Sequence, residues 1–202
     1  MNPTIFQPAW LAAHKLIRDE EAEAAEIRII HADVVSYSFD WVDLEVTRDR
    51  CQLQTTSTAE AADPVRDLAV GIFTILRHTP IRLVGINGAG HYKVPSEDRW
   101  HEIGHTLAPD DRWKDLLDRP GMRSLVMEGT RTDEHQGWIR VTAEPSVVVN
   151  PGIYVGVTDH YDLSGEQASV TTAEPALSVV RDNWDRSLQL REQASQLVLS
   201  LP

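Results

Sequence analysis

The sequence predicts an α+β fold with a mainly antiparallel sheet. Three observations predict it. Strand-like segments come in neighbouring pairs separated by short turns, two helices are well signalled, and the regular strand–helix alternation of a parallel doubly wound sheet is missing. The sheet is expected to be built from hairpins and a C-terminal meander. An amphipathic helix over about 64–78 and a long C-terminal helix over about 172–199 are expected to pack it. With no internal repeat, low-complexity run or rich linker, residues 1–202 read as one α+β domain.

The elements follow in order. Pro8 suits the first turn of a helix. Residues 9–25 read as one helix, apolar at Trp10, Leu11, Leu16 and Ile17 and acidic in its second half. Tyr37, Phe39 and Trp41 then alternate with Ser36, Ser38 and Asp40, the period of a half-buried strand. Val42, Leu44 and Val46 continue the alternation in the opposite phase. A one-residue slip exchanges the faces of a sheet, so a β-bulge or bend is expected between Trp41 and Val42. Residues 47–50 form a turn, and 51–56 return as the partner strand.

Residues 58–62 read as a loop. Asp63 and Pro64 then supply an N-cap and a first-turn proline. Val65, Leu68, Ala69, Ile72, Phe73 and Leu76 follow at spacings of three and four. This helix should stop near His78, since Thr79 precedes Pro80. Residues 81–86 and 91–94 read as two strands joined at Asn87-Gly88, a strong tight-hairpin signal. That setting argues against a phosphate loop, which needs its glycines to run into a helix.

Ser96 can cap a short helix through Leu107, with Trp100, Ile103 and Leu107 as its apolar stripe, and 111–117 can add a turn or two. Strands are expected over 124–132, 137–143 and 152–161. Glu144-Pro145 suggests an edge or bend, and Asn150-Pro151-Gly152 a turn. Thr171 and Glu174 form a capping-box pattern ahead of the last helix. The run Asp159, His160, Tyr161 and Asp162 is expected as a solvated turn at a strand end, with metal or acid–base work as the alternative. His31 and His78 are expected to be structural.

Composition narrows the function classes. Hydrophobic residues make up 42% and charged residues 25%, globular rather than disordered usage. The net charge of −12, with Lys and Arg scattered and no basic run, argues against nucleic acid as a partner. No apolar run is long enough for a membrane span. The lone Cys51 excludes an intramolecular disulfide and reads as a small buried hydrophobe. Without an apolar leader at the N-terminus, the cytosol is the expected location.

One segment carries a sharp chemical signal. His101, Glu102, Ile103, Gly104 and His105 fit H-E-x-x-H, which on a helix sets two imidazoles on one face. They can share a zinc ion, while the glutamate polarises a metal-bound water. The run resembles the active-site helix of metzincin peptidases, whose longer pattern is H-E-x-x-H-x-x-G-x-x-H. Here Ala108 stands at the glycine and Asp111 at the third histidine, an oxygen donor that zinc accepts. Met122 and Met127 lie downstream, where the family has its methionine turn.

The resemblance implies a zinc-dependent hydrolase with His101, His105 and Asp111 as ligands and Glu102 as catalytic base. The competing expectation is a short amphipathic helix with partly exposed histidines, holding no cofactor. On that reading the chain is a non-enzymatic protein-binding or assembly protein. It would use a sheet edge or its long, tryptophan-bearing C-terminal helix to contact a protein partner or a second copy.

Overall fold

The computed structural model describes residues 1–56, 62–165 and 170–201. The fold is α+β with two four-stranded sheets, antiparallel at every pairing. The described residues group into two compact units. Of these, residues 1–56, 62–81 and 170–181 form the first, and residues 82–165 and 182–201 the second.

In the first unit, α1 (Pro8–Ala13) and α2 (Asp19–Glu23) replace the single expected helix. The break falls at Lys15, which takes a left-handed φ of 58° without a glycine to announce it. Leu11 and Ile17 are buried on either side of it, so two short pieces seat both apolar anchors. Strands β1 (Glu26–Ile30), β2 (Val34–Phe39), β3 (Val42–Thr47) and β4 (Cys51–Gln54) follow in spatial order. The expected bulge at Trp41–Val42 is instead a hairpin. Phe39 pairs with Val42 across the two-residue loop Asp40-Trp41, and a reversal of direction changes the phase of the alternation as a slip does. The irregularity that does occur lies between Ile27 and Ile29.

Val35, Tyr37, Phe39, Val42, Leu44 and Val46 bury one face of this sheet. The helix α3 (Ala62–Ile75) buries Val65, Leu68 and Ile72, as its spacing predicts. Most of the loop expected at 58–62 lies outside the described residues, and Ala62 is already helical. Phe73 meets Phe6 with ring centroids 6.3 Å apart. Cys51 is half-buried, and burial pushes its thiol up to about 12. His31 and His78 lie at the surface.

The second unit opens with β5 (Leu83–Lys93), an unbroken strand where a tight hairpin is expected. Its eleven residues pair one for one with β8 (Gly152–Asp162), and this long-range ladder overrides the local Asn-Gly signal. A Cβ at Gly88 would lie 2.6 Å from Arg191 Cδ, so the glycine there serves a close approach. The helix α4 (Glu97–Leu107) has Ser96 as its N-cap, accepting from Arg99 N at 3.1 Å. Strands β6 (Leu125–Thr130) and β7 (Gly137–Pro145) complete the sheet in the order β5-β8-β7-β6. Pro145 ends β7 rather than bending it.

The last helix, α5 (Glu174–Leu199), begins at Glu174. Ala173 precedes it and takes the bond from Leu177 N, so the cap expected at Thr171 falls two residues too early. Residues to Arg181 belong to the first unit and those from Asp182 to the second. In the second unit α4 and α5 pack an apolar cluster of Val94, Ile103, Ile153, Val155, Val157, Ala194 and Val198. Trp100 and Leu107 flank it, as the α4 stripe predicts.

Candidate functional site

The His101 face of α4 borders an open cleft of about 900 Å³ in the second unit. Trp100 and Ile153 reach it from the core. His101, Gly104 and His105 form one wall, residues 114–122 the other, and Glu144 and Pro145 close an end. Trp100 Nε1 donates to Gly152 O at 2.9 Å, tying α4 to the start of β8. Arg99 Nη2 donates to Leu199 O at 3.1 Å and also to Leu201 O, tying the same helix to the end of α5.

Each residue of the H-E-x-x-H segment has a definite place. The His101 and His105 rings stack nearly parallel, 6.2 Å between centroids. Trp100 meets His101 edge-on at 4.9 Å. Glu102 is exposed and accepts from Arg99 Nη1 at 3.3 Å. Asp111 is exposed on the 3₁₀ turn after α4, near enough to His105 to feel its charge. Its carboxylate accepts from Lys114 Nζ at 2.6 Å, and that ammonium holds it below the usual carboxylate range. Asp110, which the sequence pattern passes over, sits nearer, its Oδ2 3.5 Å from His105 Nδ1. Among the described residues, no three His, Cys, Asp or Glu side chains are grouped to hold a metal ion.

Exposed apolar side chains stand at the cleft wall, Leu116 and Leu117, and beside it, Trp113. Leu116 is 76% exposed, Trp113 54% and Leu117 48%. Trp113 ends the short 3₁₀ turn Asp111–Trp113, and the backbone N–H groups of Leu116 and Leu117 donate to its carbonyl oxygen. The charged groups lining the cleft are mainly acidic: Asp110, Asp115, Asp118 and Glu144 against Lys114 and Arg119.

A second polar cluster lies inside the same unit and was not legible as such. The expected solvated turn at 159–162 is the end of β8, with Asp159 fully buried. Arg131 Nη1 donates to Asp159 Oδ1. Ser187 Oγ donates to Asp159 Oδ2 at 2.6 Å, and the Tyr161 hydroxyl donates to the same oxygen at 3.0 Å. The other edge of Arg131 grips Asp133, Nε to Oδ1 at 3.0 Å and Nη2 to Oδ2 at 2.7 Å. Arg186 closes on Asp133 from α5. The Arg131 guanidinium lies 3.7 Å from the Tyr161 ring centre, and burial raises that phenol. His160 points to the other face, where it stacks on Trp138 at 4.6 Å.

Two signals could have found this cluster. Asp159 keeps phase with Ile153, Val155, Val157 and Tyr161, all buried, so period two already assigns it to the core. Asn183, Ser187, Arg191 and Ser195 recur every four residues on α5, a polar stripe along one helix face. Asp159 is bonded on both oxygens and Arg131 on both sides. That is how a buried ion pair is retained, rather than how a reacting group is offered to a substrate.

Comparison with known proteins adds no relative. No protein-family model matches the chain, and neither a curated protein nor a solved structure matches it. No helix among the described residues is long and apolar enough to cross a membrane.

Proposed function

We propose that this chain is a non-enzymatic polypeptide-binding protein of the cytosol, and that the cleft beside α4 receives a segment of its partner. One observation carries the reading: Trp113, Leu116 and Leu117 stand exposed together beside a cleft walled by Trp100 and His105. Apolar side chains gathered at the rim of a concavity are the usual sign of a binding surface. The surplus of carboxylates around it favours a segment that carries both apolar and basic residues.

Selection of a random peptide library displayed on phage tests this directly. Enriched peptides should combine apolar with Lys or Arg residues, and their binding should weaken at least about tenfold in Leu116→Ser/Leu117→Ser. Failure to enrich any common pattern, or binding unchanged by that double substitution, would overturn the reading.

A second reading is a zinc-dependent hydrolase, favoured by one observation: His101, His105 and Asp110 line the same cleft. Elemental analysis of protein purified without added metal separates the two. About one zinc per chain, lost in His105→Ala, supports the hydrolase; metal-free native protein removes it.

A further inference from the structure

The open edge of the first unit's sheet carries a pattern that the cleft does not explain. All five residues of β1 are exposed, among them Ile27 at 49%, Ile29 at 44% and Ile30 at 44%. Edge strands are normally blunted, since a free row of amides and carbonyls invites another strand. Here three isoleucines stand on a five-residue edge.

The backbone faces the right way. His31 N bonds to Val34 O, so the even-numbered residues of β2 turn their polar groups toward β1. Tyr37 therefore turns toward β3. Ile27, opposite Tyr37, turns its own amide and carbonyl to the open side. The side chains alternate to match from Glu26 to Arg28, and the irregularity that follows sets Ile29 on the face of Ser36. Ile27 shares the face of the buried Tyr37, while Glu26 lies opposite Ser38 on the other face. Arg28 is on that second face too, where it bonds to Asp43, the neighbour of Ser38 across β3.

We infer that β1 is a homodimerisation edge on which a second copy of this chain pairs antiparallel, Ile27 opposite Ile27. No other register centred on a residue of β1 gives the same match of charge. With Ile27 on the two-fold axis, Glu26 of each copy faces Arg28 of the other, two cross-strand ion pairs related by symmetry. The two Ile27 side chains cover each other on the buried-face side, and the two four-stranded sheets become one continuous sheet. No residue of β1 lines the cleft, and the proposal does not depend on what the cleft binds.

Sedimentation of the full chain across micromolar concentrations tests it, with charge reversal as the probe. The wild type should show a monomer–dimer equilibrium. Glu26→Arg sets two guanidinium groups against each other at both pairs, and Arg28→Glu sets two carboxylates there instead. Each variant alone should therefore weaken the dimer at least about tenfold. An equimolar mixture of the two variants should recover association. In the mixed dimer each pair joins a guanidinium of one copy to a carboxylate of the other, and the double variant Glu26→Arg/Arg28→Glu likewise restores opposite charges at both pairs in its own homodimer. Leu116→Ser/Leu117→Ser should leave the dimer unchanged. If one reversal alters the circular dichroism spectrum, Ile27→Asp replaces it, placing two carboxylates face to face, and the same loss is expected. A monomeric wild type, single variants that associate like the wild type, or a double variant that stays monomeric would each overturn the inference.

Discussion

The two sheets are alike in strand number and pairing but are held by different physics. The first buries a face that is apolar from Val35 to Val46, where the Tyr37 hydroxyl has no hydrogen-bond partner among the described residues. The second is apolar at one end, around Ile103 and Ile153, and ionic at the other, where Arg131 and Asp159 are sealed together. A burial-driven sheet loses stability in proportion to the volume removed. A sheet with a sealed ion pair loses most when only one partner is removed, because the other charge is left stranded in low dielectric.

The largest test of that contrast is Asp159→Ala. It leaves the Nη1 edge of the buried Arg131 guanidinium without its carboxylate, Asp133 being shared with Arg186, and removes the carboxylate to which Ser187 and Tyr161 donate, so a loss of about 3–5 kcal/mol is expected in denaturant unfolding. A loss below about 1 kcal/mol would mean that the pair is dispensable and that the two sheets are held alike. Next comes Leu44→Ala in the first sheet, where Leu44 is fully buried. A cavity without any polar consequence should cost about 3 kcal/mol, and Leu44→Met should recover most of it.

Gly137→Ala is expected to cost about 2 kcal/mol. Its φ of 133° suits glycine, and a Cβ there would collide with the His160 carbonyl oxygen. Tyr37→Phe should change stability by less than about 1 kcal/mol in either direction, since it removes a hydroxyl that bonds to nothing among the described residues; a larger loss would reveal a partner for it.

The smallest expected effect is a pH dependence in the first unit. Backbone N–H donation from Arg18, helped by Trp41 Nε1, holds Glu21 below its ordinary value of 4.5. A depressed carboxyl contributes stability above the unfolded pKa and loses it as pH falls through the folded one. Thermal scans from pH 6 down to pH 3 should therefore show Glu21→Gln converging on the wild type at the acid end. A constant gap would assign the difference to packing instead.

Local signals were readable, and long-range ones were not. Ser96 and the Trp100, Ile103, Leu107 spacing specify α4 within twelve residues, and the structure has that helix and that buried face. The phase change at Val42 was visible, but whether chain reversal or an extra residue causes it depends on which residues pair. Residues 87–90 carry a turn signal and sit inside β5, because β8, more than sixty residues later, supplies a partner for every position. The break at Lys15 has no glycine or proline to mark it. At the candidate site His101 and His105 were found, while Asp110, Leu116 and Leu117 were not, since nothing in their spacing says that the chain folds back along α4.

The division of α5 between the two units has a consequence for synthesis. Ala173, Ala176, Leu177 and Val179 belong to the first unit and are buried, yet they are translated long after β1–β4. At ~5–20 residues per second, the ribosome takes on the order of ten seconds to reach them once β4 is made. For that interval the first unit lacks four of its buried apolar residues, so nascent chains should be captured by chaperones until the final helix emerges.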